Sequence, residues 1–247
     1  MREAVEQLLL PAECLLCRAL FSFRDAGRLV CDVCRHRWRP VRPPWCARCG
    51  QPEPSFGRCR LCAEWPAAFG VARSAVWLDA GAREAVHALK YGGLPRIAAE
   101  LAAAMVALEL PGVESAWLVP IPLGRARFRD RGYNQSERLA RALSRRWGRP
   151  VVELLVRTRD TAAQTALTPE ARLANVAGAF SVRATRAGAA TPGHGPGVTP
   201  PGRPLVLVDD VFTTGATLAE AARALDRAGA HTVSAVTFGR AVVPDFT

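Results

Sequence analysis

The sequence holds two groups of residues whose types and spacing suit them to chemistry. One is the run Val206-Leu207-Val208-Asp209-Asp210-Val211-Phe212-Thr213-Thr214-Gly215-Ala216-Thr217. The apolar stretch Leu205 to Val208 leads into two adjacent carboxylates, then a small polar loop, then a helical pattern from Leu218 to Ala228. Such a short, β-branched run predicts a central parallel strand. Open α/β sheets bind ligands at the carboxyl ends of their strands. Carboxylates accept hydrogen bonds from the vicinal hydroxyls of a sugar, directly or through a metal ion. The hydroxyls and backbone N–H groups from Thr213 to Thr217 suit an anion, Gly215 permits a close approach or positive φ, and the helix points its positive end at the same place. Acids repel phosphate, so this order predicts a sugar phosphate with its hydroxyls on the acids and its phosphate beside them in the loop.

The other group is cysteine. All eight lie between residues 14 and 62 as four C-x-x-C pairs: Cys14/Cys17, Cys31/Cys34, Cys46/Cys49 and Cys59/Cys62. Each pair presents two thiolates at one point, and two pairs complete a tetrahedron around zinc. Redox chemistry needs one pair, and C-x-x-C spacing in a cytoplasmic chain favours metal over disulfides. Two structural zinc ions are expected. Sequential pairing assigns Cys14, Cys17, Cys31 and Cys34 to one and Cys46, Cys49, Cys59 and Cys62 to the other. A cross-braced arrangement, first pair with third and second with fourth, stays open. Closed sites of this kind leave no position for catalysis.

A chain of 247 residues, 49% hydrophobic, fits one α/β domain with a small additional module. The start, Met1-Arg2-Glu3, turns acidic too early for a secretory signal. No stretch reaches about 18 uninterrupted apolar residues. A cytoplasmic protein without membrane insertion is expected. The formal net charge is +11, and Lys90 is the single lysine among 33 basic residues. Residues 123–149 hold nine arginines against Asp130 and Glu137. Arg125, Arg127 and Arg129 there face a polyanion such as nucleic acid, or the phosphates of a ligand, or else form a solvated surface. Phe128, Tyr133 and Trp147 lie among these arginines and either stack on bases of a single strand or belong to the core.

To position the acid pair, strands are expected at 71–78, 117–119, 151–156, 179–182, 205–208 and 233–238. Helices are expected at 82–89, from Pro95 to about 109, from 135 to about 147 and at 218–228. The arginine-rich stretch after Pro122 reads as a loop. Residues 157–176 read as a mobile loop with a short helix near 169–174, and 188–203, rich in Pro and Gly, as a disordered insertion. The cysteine module spans 1–66 and the α/β domain 67–247.

The acid-pair run resembles the phosphoribosyl-pyrophosphate (PRPP) signature of type I phosphoribosyltransferases, with Phe212 where an aliphatic residue is more usual. The resemblance implies ribose contacts for Asp209 and Asp210 and 5′-phosphate contacts for Thr213, Thr214, Gly215, Ala216 and Thr217. The cysteine pairs, Lys90-Tyr91-x-Gly93, Pro120-x-Pro122, Arg131-Gly132-Tyr133-Asn134-Gln135 and the acid pair follow one another along nearly the whole chain. In that order they resemble the ComF family, a double zinc ribbon joined to a type I phosphoribosyltransferase-like parallel sheet flanked by helices. That family is associated with DNA uptake during natural transformation.

The resemblance implies a pyrophosphate loop at Ile121 and Pro122, with Mg²⁺ accompanying PRPP and with the bond before Pro122 a candidate cis peptide. Arg131 meets pyrophosphate, while Asn134 is accounted for as a helix N-cap alone. Arg157, Thr158, Gln164, Thr165, Leu167, Arg172 and Asn175 correspond to a flexible closing loop, making Arg157 and Arg172, with the acid pair, the catalytic candidates. Lys90 contacts a phosphate or caps its helix. Three readings remain open: a PRPP-binding factor that contacts single-stranded DNA and the uptake machinery, an active Mg²⁺-dependent phosphoribosyltransferase, and a scaffold with a vestigial site. No acceptor site for a nucleobase is recognisable.

Overall fold

Two runs of apolar residues, buried along almost their whole length, organise the chain. They are β5 (Leu205–Phe212) and β6 (Val233–Arg240), which pair in parallel at the centre of the sheet. The computed structural model describes residues 12–52, 59–159, 175–183 and 203–241. Arg172, Gln164, Thr165, Leu167, the short helix expected near 169–174 and residues 188–202 of the expected insertion lie outside the described residues.

β1 (Phe69–Trp77) flanks β6 and β2 (Trp117–Pro120) flanks β5, giving a four-stranded parallel sheet in the order β1-β6-β5-β2. A parallel sheet must be covered on both faces, and alternation along β5 sorts its side chains accordingly. Val206 and Val208 pack with Leu101 of α3 (Ala98–Met105) and with Leu139 and Leu143 of α5 (Gln135–Trp147). Leu205 and Leu207 pack with Leu218, Ala221 and Leu225 of α6 (Ala216–Arg227). α2 (Ala80–Tyr91) follows β1 and joins the first of these layers. Among the described residues no helix is long and apolar enough to cross a membrane.

Several boundaries depart from expectation for identifiable reasons. β5 runs on through the acid pair because Asp209, Val211 and Phe212 stay in register with Thr237, Gly239 and Arg240 of β6. The arginine-rich stretch is a helix, α4 (Arg125–Arg131), and not a loop. The helix entered at Pro95 begins as a 3₁₀ turn and ends at Met105, where the Leu108 N–H turns back to the Met105 carbonyl. The strand expected at 151–156 divides. Val152 bonds Leu118 on the sheet edge, the Leu154 N–H folds back on Val152, and β3 (Leu155–Arg157) pairs antiparallel with β4 (Phe180–Val182). The peptide before Pro122 is trans; the cis bond among the described residues is Pro43–Pro44.

The cysteines form two sets in sequential pairing: Cys14, Cys17, Cys31 and Cys34, then Cys46, Cys49, Cys59 and Cys62, with the sulfurs of each set within 4.8 Å of one another. The sets repeat one local geometry. The Arg18 N–H donates to Cys14 O and the Gly50 N–H to Cys46 O, and both Arg18 and Gly50 have positive φ. Cys14 N and Cys46 N then bond Ala19 O and Gln51 O. Sulfur separations of 3.6–3.7 Å are far too long for disulfides. They match the edge of about 3.8 Å that four Zn–S bonds of about 2.3 Å produce in a tetrahedron. Burial pushes the Cys34 and Cys62 thiols up, and neighbouring cysteines add to the rise. A divalent cation at the centre supplies the charge that lets all four sulfurs ionise.

α1 (Asp32–His36) seats the first set: Cys31 N-caps it, and Arg35 reaches Glu100 of α3 at 2.9 Å. Arg48 seats the second, donating to the carbonyls of Cys62, Trp65, Pro66 and Phe69. Elemental analysis of the purified protein is expected to give about two zinc ions per chain, and Cys34→Ser about one. Undiminished zinc in that variant would reject the ligand set.

Candidate functional site

The carboxyl ends of β2 and β5, the loops that leave them and the inner face of α2 enclose a cleft of about 400 Å³. Ile121, Pro122, Arg127, Arg131, Arg157, Asp209, Asp210, Thr213, Gly215, Ala216 and Thr217 line it. It therefore brings together most of the site residues expected from the sequence. Thr214 is buried just behind, its hydroxyl oxygen accepting from the Ala216 N–H at 3.4 Å. Arg125 and Arg129 are exposed on α4, outside the lining, so Arg127 is separated from its two neighbours and belongs to the cleft.

The acid pair sits on the cleft floor. Asp210 is 3% exposed. Its Oδ1 accepts from Gln135 Nε2 at 3.2 Å, and Lys90 Nζ lies 2.5 Å from its Oδ2 as a charge contact, not a well-directed hydrogen bond. Asp209 Oδ1 accepts from Ser136 Oγ at 2.7 Å and from the Asp210 N–H at 2.9 Å. Three of the four carboxylate oxygens thus have partners among the described residues, and Asp209 Oδ2 has none there. Burial opposes the ionisation of Asp210, but the charge of Lys90 and the hydrogen bonds around it hold that carboxyl below the usual range. Lys90 is held above its usual range by the same contact, against the effect of burial. Burial, and then the charge of Asp210, push the Asp209 carboxyl up to about 7. Asp209 keeps partial contact with solvent at the cleft floor.

Each partner is placed by its own local structure. Lys90 stands in the last turn of α2, one residue before Tyr91, and the helix is closed by the Gly92 N–H on Ala88 O. Gln135 and Ser136 open α5, whose N-cap Asn134 accepts from the Ser136 N–H at 3.0 Å and donates from Nδ2 to Ile121 O at 2.9 Å. Asn134 thereby ties the loop after β2 to the helix that serves the acids, a role beyond the N-cap expected of it. Tyr133 Oη donates to Leu89 O at 2.5 Å, joining α5 to α2. Arg131 Nη1 donates to Gln135 Oε1 at 2.5 Å, and its guanidinium lies 5.2 Å from the Tyr91 ring centre. The ionic role of Lys90 was not readable from its surroundings. Its one signal was to be the single lysine in a chain that otherwise uses arginine.

The turn after β5 completes the cleft. Gly215 has φ +76° and starts α6. A Cβ there would lie 2.6 Å from Phe212 Cζ and 3.2 Å from Trp65 Cζ2, so the turn lies flat on two rings and tolerates no side chain. The N-terminus of a helix of 12 residues then starts at the cleft beside the acids, where Gly215, Ala216 and Thr217 line it, and the helix dipole places partial positive charge there.

A raised Asp209 carboxyl has a sign that can be checked. Its folded-state value lies above the unfolded one, so the native state binds the proton more tightly and this contribution to stability is present at low pH. It is lost as pH rises from about 4 to about 7. Asp209→Asn keeps an acceptor for Ser136 and removes the titration. Its melting temperature relative to wild type is expected to climb between pH 4.5 and 8, measured by calorimetry. A constant difference across that range would show that Asp209 ionises normally.

A family model for the double zinc ribbon domain matches residues 5–63. The DNA utilization protein YhgH of Escherichia coli (strain K12) is 32% identical over 241 residues, covering 92% of this chain and 96% of that protein. Competence protein ComFC of Bacillus subtilis (strain 168) is 28% identical over 246 residues, covering 92% and 94%. Competence protein F of Haemophilus influenzae is 33% identical over 125 residues, half of each chain. The cysteine sets and the sheet occur in one chain that matches such relatives end to end, and the chain belongs to the family of the ComF competence proteins and YhgH DNA utilization proteins.

Proposed function

We propose that this chain binds PRPP, or a closely related ribose phosphate, with Mg²⁺ in the cleft and acts in DNA uptake through contact with single-stranded DNA. The observation that carries the ligand reading is the adjacency of the acid pair and the Gly215 turn. Asp209 Oδ2 suits a ribose hydroxyl, and the small polar turn from Thr213 to Thr217, at the positive end of α6, suits the 5′-phosphate. On the other side of the acids, Arg127, Arg131 and the backbone at Ile121 and Pro122 suit pyrophosphate. Mg²⁺, held beside the acid pair, would offset the charge of the pyrophosphate. Arg157 lines the cleft at the base of the β3–β4 pair, which favours a second reading, transfer with release of pyrophosphate, in which it would stabilise departing charge.

The names of the relatives, competence protein and DNA utilization protein, support the cellular role. Supporting a strand contact, Arg125 and Arg129 are exposed on α4, and Arg96, Arg138, Arg141 and Arg145 line a groove with Gly27, Leu29 and one acid, Glu100. A basic track of this kind suits a phosphodiester backbone.

PRPP with Mg²⁺ at about 100 times its Kd is expected to stabilise the protein by about 2.7 kcal/mol, a rise in Tm of about 5–10 °C for a chain of this size. Asp209→Asn with Asp210→Asn should abolish that rise while the protein stays folded. An unchanged rise would sink the assignment of the acids. A pyrophosphate-release assay with a panel of acceptors, with and without single-stranded DNA, separates binding from transfer.

Charge reversal at Arg125 and Arg129, both outside the cleft lining, is expected to weaken single-stranded DNA binding. The slope of log K against log salt should become shallower by about 1.4, the value for two lost phosphate contacts. Equal affinity and equal slope would remove α4 from the interface.

A further inference from the structure

Arg240, at the end of β6, is the largest fully buried side chain among the described residues, at 1% exposure. A buried guanidinium is expected to have an anion beside it. Among the described residues Arg240 makes no ion pair with a carboxylate. Nη1 donates to Cys49 O at 2.7 Å and Nη2 to Gln51 Oε1 at 2.6 Å, both neutral acceptors. The anion within reach is the second cysteine set itself, which carries a net charge of −2 when four thiolates hold Zn²⁺. Arg240 therefore faces the metal site through the carbonyl of one of its ligands.

Its other face meets the cleft. The guanidinium carbon lies 3.9 Å from the centre of the Phe212 ring, the residue opposite it in the β5–β6 register. Phe212 is the floor of the turn: the Gly215 Cβ position falls 2.6 Å from its Cζ. Trp65, three residues after Cys62, closes the same point at 3.2 Å and stacks on Phe69 at 4.1 Å. The Ala241 N–H donates to Phe212 O at 2.8 Å and holds that end of the strand pair. A continuous line of contacts runs from Cys49 through Arg240 and Phe212 to Gly215.

We propose that Arg240 is a positioning residue through which the metal-filled second cysteine site holds Phe212 and the Thr213–Thr217 turn in place, so that loading of that site sets the order of the turn. When the metal leaves, the turn that presents the Cys49 carbonyl is no longer held by its ligand bonds, and the guanidinium loses the contact that orients it. The ring then loses its cation, and the turn loses its floor. Among the described residues the first cysteine set shows no such line to the turn: Cys14 and Cys34 pack in the core layer of α2, α3 and α5, and Arg35 bonds Glu100 of α3.

Hydrogen exchange of the backbone amides from Thr213 to Thr217, followed by mass spectrometry on the full zinc-loaded chain, tests this directly. Cys59→Ser, which opens the second site, is expected to speed exchange in the turn about tenfold or more, while Cys17→Ser in the first site leaves it unchanged. Arg240→Gln should retain two zinc ions and speed the turn to a similar degree, with β2 unaffected. A merely structural arginine would loosen β5 and β6 together and would leave the metal effect intact. Here, adding Cys59→Ser to Arg240→Gln should produce much less than its full effect, the remainder passing through Trp65.

Turn exchange that is the same in Arg240→Gln and wild type, or a full additional effect of Cys59→Ser in the Arg240→Gln background, overturns the proposal. Should Arg240→Gln fail to fold, Phe212→Leu breaks the line at the ring and carries the same expectations. The consequence for ligand rests on the reading of the cleft proposed above: the PRPP-dependent rise in Tm should shrink in Arg240→Gln. No rise in wild type would count against that reading alone, since the exchange comparison decides the coupling without ligand.

Discussion

Two carboxylates on consecutive residues of a buried strand repel one another and lose hydration, and much of what surrounds β5 answers that constraint. Lys90 brings the counter-charge to Asp210, and Gln135 and Ser136 bring hydrogen bonds to the two acids. These partners come from the end of α2 and the start of α5. The two helix ends are fixed to each other by Tyr133 Oη on Leu89 O, and α5 is fixed to the β2 loop by Asn134 on Ile121 O. The acids thus set where two helices begin and end and where the loop beside them runs. Removing either acid relieves repulsion but leaves a buried partner without its contact, so the pair and its shell form one unit.

Lysine and arginine divide the remaining electrostatic work by shape. Lys90 is a compact cation on a flexible stem, suited to one carboxylate oxygen at the bottom of a cleft. The planar, many-donor guanidinium serves the carbonyl-rich cysteine turns instead. Arg48 reaches the carbonyls of Cys62, Trp65, Pro66 and Phe69, and Arg73 reaches those of Ala47 and Ala72. These bonds satisfy backbone groups in segments too short and irregular to satisfy themselves. They also place cations around sets of sulfurs that are anionic when filled. An arginine-rich composition is therefore structural around the second cysteine set, while on α4 and along the groove beside α5 it remains a surface property.

Contiguous motifs were legible because their chemistry is local. The run from Leu205 to Thr217 contains its own strand, acids, turn and helix start, and each C-x-x-C pair contains its own knuckle. The parallel sheet followed from the same apolar runs. What escaped depends on contacts between distant residues. Gln135 and Asp210 are 75 positions apart, and nothing near either one announces the other. The length of β5 was underread because polarity at Asp209 suggested an end, whereas backbone pairing with β6 continues to Phe212. The arginine-rich stretch read as a loop because charge outweighed its freedom from proline and glycine between Arg125 and Arg131. Sequential pairing of the cysteines was left open by spacing alone and was decided by how the turns fold together.

The balance of charge around the cleft limits what shape of ligand suits it. Arg83, Lys90, Arg127, Arg131 and Arg157 line it against Asp209 and Asp210. Lys90 is engaged by Asp210, so the excess is carried by arginines, with the helix N-terminus at the turn adding its own partial positive charge. The acids lie between the Gly215 turn and the loop at Ile121, so anionic groups are repelled from the middle and accepted at the two sides. On the reading proposed above, the ligand carries negative charge at both ends and hydroxyls between them. PRPP has that distribution, with a phosphate on C5, hydroxyls on C2 and C3 and pyrophosphate on C1. On the same reading a nucleoside monophosphate, charged at one end alone, would satisfy half of the cleft.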